Sequence, residues 1–341
     1  MPSSHSTPTL QDVARKAGVS TATVSRCLNS PERVVAETRT RVMEAVEQLG
    51  YTPNFGARVM AAKRTFTIGA IVPTMENAIF ARGLQAFQEE LHARGYTLLV
   101  SSTAYDARVE KEQIKALVAR GADGLLLIGY DRDPALYSYL AQQGVPAIVT
   151  WAYARHDARA AIGFDNRGAM AQLAGAVIAQ GHRRIAMISA HQRGNDRAAD
   201  RVAGVRDALR AQGLAEDSLQ VIETAYGIET GEVAMTTLMR ARVPPTAVMC
   251  GNDVLAAGAL CAAADLGLNV PGDVSVTGFD DIELARIVTP ALTTVHVPHR
   301  EMGRKAAQAL IAMVEGAPQE PPTELTTSVQ IRASLGPAPG I

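Results

Sequence analysis

The stretch 9–54, "TLQDVARKAGVSTATVSRCLNSPERVVAETRTRVMEAVEQLGYTPN", predicts three short helices and decides the fold of the first part of the chain. Thr9 and Asp12 have the spacing of a capping box, which predicts the start of the first helix. Gly18 allows a tight turn, and Ser20 is placed to cap a second helix. Apolar residues at helical spacing then predict a third helix. Two short helices joined by a tight turn and braced by a third describe a helix-turn-helix.

The second of these helices has one apolar side and one polar side without an acid. Val24, Cys27 and Leu28 fall on the apolar side. The opposite side carries Thr21, Ala22, Ser25, Arg26 and Asn29. Arginine bonds bidentately to guanine, small methyl groups contact thymine, and hydroxyls and amides donate to phosphate. The pattern predicts a face that reads DNA, and the alternative is a small three-helix bundle with an ordinary polar face.

The charge of the chain is unevenly distributed. Residues 1–64 carry nine Lys and Arg against five Asp and Glu, while the rest of the 341 residues carries 24 bases and 29 acids. A small basic head on a larger acidic body is expected where only the head meets a polyanion. Apolar residues make up 47% and the three cysteines are scattered, so we expect a globular, cytoplasmic protein without a disulfide framework. The longest apolar runs have strand length and predict no membrane span.

The motifs "DVA..AGVS..TVSR.LN" and "V...TR..V..A...LGY.PN" closely resemble the N-terminal domain of the LacI/GalR family of transcriptional regulators. The resemblance implies base recognition by Thr21, Ala22 and Arg26. It implies contacts to the DNA backbone by Thr9, Ser20, Thr23, Ser25, Asn29, Thr38, Tyr51 and Asn54. It further implies a dimer on a pseudo-palindromic operator, controlled by a small molecule.

The segment after this domain, "FGARVMAAKRT", corresponds to the hinge of the family. In the family it forms a helix on the operator and inserts an apolar wedge into the minor groove. Arg58 and Met60 occupy the arginine and leucine positions of the family pattern. Gly56 disfavours a helix by about 1 kcal/mol relative to alanine, so we expect helix formation only on DNA. A plain linker is the alternative.

From Phe66 onward, strand-like apolar runs alternate with helical patterns, which predicts doubly wound parallel α/β sheets. The body is too long for one sheet, so we expect two lobes joined by three crossovers, as in the periplasmic sugar-binding proteins that the family resembles. The expected division is residues 1–8 flexible, 9–54 helix-turn-helix, 55–65 hinge, 66–336 effector-binding and dimerisation body, and 337–341 tail. Within the body, the expected N-lobe is 66–164 plus 295–322, and the C-lobe is 165–293 plus 323–336.

Ligands of open α/β sheets bind outside the carboxyl ends of the strands, which predicts an effector site between the lobes. The expected contacts are Thr74, Phe80, Tyr130, Trp151, Asp165, Arg197, Arg201, Asn252, Asp253 and Asp280. The resemblance implies Arg201, Asn252, Asp253 and Asp280, while Phe80 and Trp151 are suited to stacking on a sugar. For each of these residues, the alternative is a helix cap or a turn. Asp165 lies at an expected crossover, where a structural role is the alternative.

The sequence does not fix the effector. "IGFDN" and "QGHRRIAMISA" are most similar to gluconate-operon repressors, and Arg193 or Arg197 is suited to hold the carboxylate of a sugar acid. Arg201 occurs also in family members that bind neutral or purine ligands. We therefore expect a sugar or sugar acid, with a purine or another small metabolite as the alternative.

No catalytic motif is visible: the chain has no phosphate-binding loop, no zinc-protease motif and no nucleophile elbow. Its seven histidines show no spacing typical of zinc ligands, so no metal or cofactor is expected. A sugar-metabolising enzyme with an N-terminal extension would need a nucleotide fingerprint. A secreted sugar-binding receptor would need a signal peptide. We expect a repressor that is not an enzyme, and the final residues predict no family-type tetramerisation helix.

Overall fold

The computed structural model describes residues 8–29, 31–52, 64–76 and 78–340 and divides the chain into two compact units between Thr65 and Phe66. In the first unit, α1 (Leu10–Ala17), α2 (Thr21–Asn29) and α3 (Ala36–Leu49) surround a small apolar core. Val13, Val24 and Val42 are fully buried at its centre. The predicted helix-turn-helix is thus confirmed.

The second unit alternates strands and helices. Its strands are β1 (Thr67–Val72), β2 (Thr97–Ser102), β3 (Gly124–Ile128), β4 (Ala147–Thr150), β5 (Ala161–Gly163), β6 (Ile185–Ala190), β7 (Gln220–Thr224), β8 (Ala247–Cys250), β9 (Ser275–Thr277), β10 (Thr294–His296), β11 (Thr323–Glu324) and β12 (Ser328–Gln330). Its helices are α4 (Ala81–Ala93), α5 (Ala107–Ala119), α6 (Pro134–Gln143), α7 (Asn166–Ala179), α8 (Asp196–Ala211), α9 (Ile228–Met239), α10 (Asp253–Asp265), α11 (Leu284–Ile287) and α12 (His299–Val314).

Two parallel sheets form the two lobes. The N-lobe sheet has the order β11-β5-β4-β3-β1-β2, and the C-lobe sheet has the order β7-β6-β8-β9. Strands β10 and β12 form a separate antiparallel pair in the region where the chain returns between the lobes. The expected doubly wound α/β architecture is confirmed.

One expected lobe boundary needs correction. Residues 323 and 324 were assigned to the C-lobe, but Thr323 and Glu324 pair with Ile162 and Gly163 at the edge of the N-lobe sheet. The chain therefore leaves the N-lobe after Glu324. The pairing is only two residues long, which is too short to show in the sequence pattern.

Candidate DNA-reading face and effector cleft

The start of α1 has the predicted capping box. The Thr9 amide donates to Asp12 Oδ2 at 2.9 Å, and the Asp12 amide donates to Thr9 Oγ1 at 3.3 Å. The hydrogen bond from the Thr9 hydroxyl is the main cause that lowers the pKa of Asp12. The box satisfies amides that the helix itself leaves unpaired, so it fixes where α1 begins.

Helix α2 separates its two sides as predicted. Val24 and Cys27 are buried, whereas Thr21, Ala22 and Arg26 are exposed. Arg26 makes no ion pair with another residue that the structure describes. The side therefore presents a cation and small side chains that an approaching polyanion can reach.

The remaining residues expected at the DNA have different surroundings. Ser20 caps α2, because its hydroxyl accepts from the Thr23 amide at 3.2 Å, and the hydroxyls of Ser20 and Thr23 lie 2.9 Å apart. Ser25 and Thr38 are half-buried, and Tyr51 packs into the core of the head. The side chain of Asn29 and the residues Asn54, Arg58 and Met60 lie outside the described residues.

A cavity of about 420 Å³ lies between the two lobes, where the carboxyl ends of both sheets meet. Its walls include Thr74, Ser102 and Tyr105 from the N-lobe and His191, Arg193, Asn195 and Tyr226 from the C-lobe. The rings of Tyr105 and Tyr226 approach each other across the lobes, with 6.0 Å between their centroids and an angle of 44° between their planes. Burial is the main cause that raises the pKa of Tyr105, which keeps its hydroxyl neutral. The predicted cleft therefore has an aromatic pair at one side.

Arg201 lies buried on α8 and bonds to several elements of the C-lobe. Its guanidinium donates to Asn166 Oδ1 at 2.9 Å and to the Gly251 carbonyl at 2.6 Å. It also lies 3.9 Å from the centroid of the Phe279 ring. This network fixes the guanidinium and leaves one nitrogen 3.7 Å from Asp280 Oδ1, beyond hydrogen-bond distance.

Asp280 is a fully buried carboxyl group without a hydrogen-bond partner on either oxygen among the described residues. Burial raises its pKa to about 7, and the nearby charge of Arg201 offsets the effect only in part. Its φ of +106° is rare outside glycine. An unpaired buried carboxyl on a strained backbone is typical of a functional site.

Further polar groups at the strand ends have no hydrogen-bond partner in the described chain, and two of them lie at the ends of the adjacent strands β6 and β8. They are the Ser189 hydroxyl at the end of β6 and the Asn252 amide nitrogen after β8. Asn252 Oδ1 caps α10 by accepting from the Leu255 amide at 2.9 Å, so only its nitrogen remains unpaired. Together with Asp280, these groups supply a donor, a hydroxyl and a carboxyl at neighbouring strand ends.

Two of the expected effector contacts, Asp165 and Asp253, make internal hydrogen bonds and lie outside the cavity wall. Asp165 caps α7 by accepting from the Gly168 amide at 2.9 Å. Asp253 accepts from the Ile282 amide at 2.8 Å and from the Thr294 hydroxyl at 2.6 Å. Asp165 is thus a helix cap, as the alternative had it, whereas Asp253 lies inside α10, whose cap is Asn252, and bonds to groups from other segments.

Phe80 and Trp151 also differ from the expectation. Both rings are buried, and they pack edge to face with 5.2 Å between centroids inside the N-lobe. A Cβ on Gly83 would approach the Trp151 ring to 2.6 Å, so α4 closes tightly over it. Neither ring lines the 420 Å³ cavity, where Tyr105 and Tyr226 supply the aromatic surface instead.

Of the ten expected effector contacts, all of them described residues, Thr74 alone lies in the wall of the 420 Å³ cavity, and Tyr130 and Arg197 are engaged elsewhere. The guanidinium of Arg159 lies over the Tyr130 ring at 5.0 Å, and burial raises the pKa of Tyr130 to about 12. Arg197 is buried and pairs with Asp196 at 3.0 Å. Arg193 is the exposed cation of the cavity wall.

Tyr105 and Tyr226 are not among the expected effector contacts, although each follows the end of a strand by two or three residues. Strand β7 lies at the edge of its sheet, where its residues are exposed or half-buried, so no continuous apolar run marks it in the sequence. Without β7, Tyr226 had no strand end to mark it. A search for aromatic residues just after every predicted strand would have found Tyr105.

The described residues contain no group of acids, histidines and cysteines that could hold a metal ion. Within the same ranges, no helix is both long and apolar enough to cross a membrane.

Comparison with protein families and known proteins agrees with both units. A model of bacterial regulatory proteins of the lacI family matches residues 9–54, and a model of a periplasmic binding protein-like domain matches residues 174–335. The HTH-type transcriptional repressor PurR of Erwinia tasmaniensis is 34% identical over 335 residues, which cover 97% of this chain and 98% of that repressor. The relative is thus a PurR repressor, not a gluconate-operon repressor as the local motifs had indicated.

Two solved structures show the same architecture along almost the whole chain. The lac repressor dimer bound to operator and an anti-inducer has a TM-score of 0.84 at 26% identity and covers 97% of this chain and 100% of its own. The CelR–cellobiose complex has a TM-score of 0.70 at 29% identity and covers 96% and 99%. The chain therefore belongs to the lacI family of bacterial regulatory proteins and is a DNA-binding transcriptional repressor, not an enzyme.

Proposed function

We propose that the repressor reads a pseudo-palindromic operator as a homodimer and that a small molecule bound between its lobes sets its affinity for DNA. The observation that carries the effector site is the buried carboxyl of Asp280, which has no hydrogen-bond partner among the described residues and lies 3.7 Å from Arg201. Neither residue lines the 420 Å³ cavity itself, but both lie close enough to act electrostatically on Tyr105 in its wall. A ligand that donates to this carboxyl would satisfy a group that nothing in the described chain satisfies. Allostery then follows from different affinities of two lobe arrangements for DNA.

The operator is read by the exposed side of α2. In the proposal, Thr21, Ala22 and Arg26 contact base edges, and Arg26 selects a guanine. Contacts to the DNA backbone come from Thr9, Ser20, Thr23, Ser25, Asn29, Thr38, Tyr51 and Asn54, with Arg58 and Met60 at the minor groove. One helix per subunit reads one half-site, so the two-fold axis of the dimer matches that of the operator.

The partner in the dimer is a second copy that covers apolar surface of the body. Leu99 and Val100 are exposed on β2, which is the edge strand of the N-lobe sheet. Ile228 and Val233 on α9 and Ile287 on α11 are exposed on the C-lobe. An exposed apolar edge strand normally finds a partner. Sedimentation as a monomer at micromolar concentration would contradict this part of the proposal.

The effector class that we place first is a purine. Tyr105 and Tyr226 provide two aromatic faces for a planar base, and Asp280, Asn252 and Ser189 provide hydrogen-bonding groups for its edge. Asp280 with a pKa of about 7 both donates and accepts near neutral pH, which suits a neutral heterocycle. The PurR relative at 34% identity supports the same class.

A sugar or sugar acid such as gluconate is the second candidate. Its specific support is Arg193, an exposed guanidinium in the cavity wall that would bind a carboxylate bidentately. The CelR–cellobiose complex shows a sugar bound to a protein of the same architecture. The two candidates use different residues, so one experiment separates them.

The test is thermal unfolding of the full-length repressor with adenine, guanine, hypoxanthine, gluconate, ribose and cellobiose. A ligand at about 100 times its Kd adds about 2.7 kcal/mol of stability, a clear rise in Tm. For a purine effector, Tyr226→Ala should weaken binding about tenfold, because stacking on a base contributes about 1–3 kcal/mol. Tyr139→Ala, on α6 and outside the cavity wall, is the matched control.

The outcomes divide the candidates. The purine is supported if a purine stabilises the wild type and Tyr139→Ala but not Tyr226→Ala. Stabilisation by gluconate alone, lost in Arg193→Ala, overturns the purine in favour of the sugar acid. No stabilisation by any of the six compounds overturns both. A mobility-shift assay on an operator selected from random DNA then shows whether the ligand strengthens or weakens binding.

A further inference from the structure

A single carboxylate joins the two lobes beside the cleft. Asp196 begins α8 in the C-lobe, and its Oδ2 accepts from the backbone amide of Tyr130 in the N-lobe at 2.5 Å. Its Oδ1 accepts from both the amide and the guanidinium of Arg197 at 3.0 Å. The carboxylate thus makes a charge-assisted bond across the lobes while its own orientation is fixed from the C-lobe side.

The N-lobe side of this contact needs a glycine. Gly129 has a φ of +71°, and a Cβ at this position would lie 2.0 Å from Arg197 Nη1 and 2.4 Å from Asp196 Oδ1. Any side chain here would therefore separate Asp196 from Tyr130. Gly144 has a similar φ of +67° but nothing within 4 Å of its Cβ position, so close packing against the opposite lobe is what distinguishes Gly129.

A buried arginine orients the backbone amide of Tyr130, which donates to Asp196. Arg132 donates to the carbonyl of Gly129 at 2.7 Å and to that of Ile128 at 3.1 Å. Its side chain is 1% exposed, and an ion pair of 3.1 Å with Glu110 holds its other end. The end of β3 therefore presents the Tyr130 amide as a rigidly held donor to Asp196 at the start of α8.

We propose that Asp196, Arg197, Gly129 and Tyr130 form an interlobe latch that holds the cleft closed, and that its strength sets the operator affinity of the repressor without ligand. Asp196 and Gly129 are positioning residues, because they act through the arrangement of the lobes. To shift the lobes to another arrangement, a ligand must bind that arrangement more tightly than the latched one, by enough free energy to offset the latch. The link to the operator rests on the proposed function, whereas the closure itself does not.

The first test measures hydrogen exchange of the Tyr130 amide in the full-length protein without ligand. Asp196→Ala removes the acceptor, so exchange should accelerate at least tenfold. Gly129→Ala should do the same by blocking the approach, and Asp196→Asn should fall between because its amide oxygen still accepts. Gly144→Ala introduces alanine at the same backbone angle in open space and should leave the Tyr130 amide protected. Peptides covering β1 and β4 should exchange as in the wild type.

Unchanged protection of Tyr130 in Asp196→Ala would overturn the latch, as would equal loss of protection in Gly129→Ala and Gly144→Ala.

The second test measures operator affinity without added ligand. Asp196→Ala should change it at least threefold, whereas Gly144→Ala should not. Loss of Tyr130 protection with unchanged operator affinity would overturn the regulatory role. Because neither test uses an effector, failure of the purine proposal and failure of the latch are distinguishable.

Discussion

The DNA-reading side of α2 and the effector cleft differ in where their recognition residues lie: on the surface in the first and buried in the second. Thr21, Ala22 and Arg26 are exposed neighbours on one short helix, and the core of the head needs none of them. Arg201 and Asp280 are buried and come from distant segments, and the fold of the C-lobe surrounds them. A large polyanion can be met at the surface, whereas a small ligand must be enclosed by groups that stay unpaired until it arrives. Substitutions on the reading side of the head should therefore change DNA recognition without changing stability. Substitutions in the cleft should change both ligand recognition and stability.

The largest expected effect is a loss of stability in Arg201→Ala, which tests whether a cleft residue also stabilises the fold. Arg201→Ala removes hydrogen bonds to Asn166 and to the Gly251 carbonyl and leaves Asp280 without its nearest cation. Breaking a buried network of this kind should lower the free energy of unfolding by about 3–5 kcal/mol. Urea denaturation of the full-length protein measures the loss, with exposed Arg206→Ala on the same helix as the control. A loss below about 1 kcal/mol would show that the cleft tolerates change as the head does.

The second effect depends on pH. Asp280 has its pKa raised to about 7 by burial, so the folded state keeps a proton that the unfolded chain releases near pH 4. Its contribution to stability is therefore present at low pH and declines as pH rises from about 4 to about 7. Asp280→Asn removes this dependence, and its stability relative to the wild type should rise by about 1–3 kcal/mol between pH 5 and pH 7.5. Urea denaturation at both pH values checks the difference, and a constant difference would mean that Asp280 is ionised throughout.

In the head, Arg26→Ala should affect recognition alone. The loss should be about 1–3 kcal/mol of operator affinity, concentrated at one base pair, with the Tm unchanged. Binding titrations on operators altered at single positions measure it, and Thr23→Ala is the comparison for a phosphate contact. Equal weakening on every sequence would make Arg26 a phosphate contact instead.

The smallest effect concerns the capping box. Thr9→Ala removes the hydroxyl that accepts from the Asp12 amide and should destabilise the start of α1 by about 1 kcal/mol. Hydrogen exchange of the α1 amides in the full-length protein should accelerate about fivefold, while exposed Thr40→Ala on α3 leaves them unchanged. No acceleration in Thr9→Ala would mean that Asp12 alone fixes the helix start.

Much of the head was predictable because its determinants are neighbours in the sequence. The capping box and the inward positions of Val24 and Cys27 follow from the spacing of residues within one or two turns. The cleft was predictable only as a region. Phe80 and Trp151 were expected at the ligand, yet they pack on each other, because the sequence does not show that α4 closes over Trp151.

By itself, the sequence determined the three-helix head, the acid-free reading side of α2 and the alternation that produces parallel sheets, since helical and strand periodicity are local properties. The tertiary structure alone decided which strand-end residues meet. It left the Asp280 carboxyl without a hydrogen-bond partner among the described residues, gave Asp253 internal partners, and brought Tyr105 close to Tyr226. The reason is physical: whether a polar side chain serves as a helix cap or remains available for a ligand depends on which distant backbone groups surround it once it is buried.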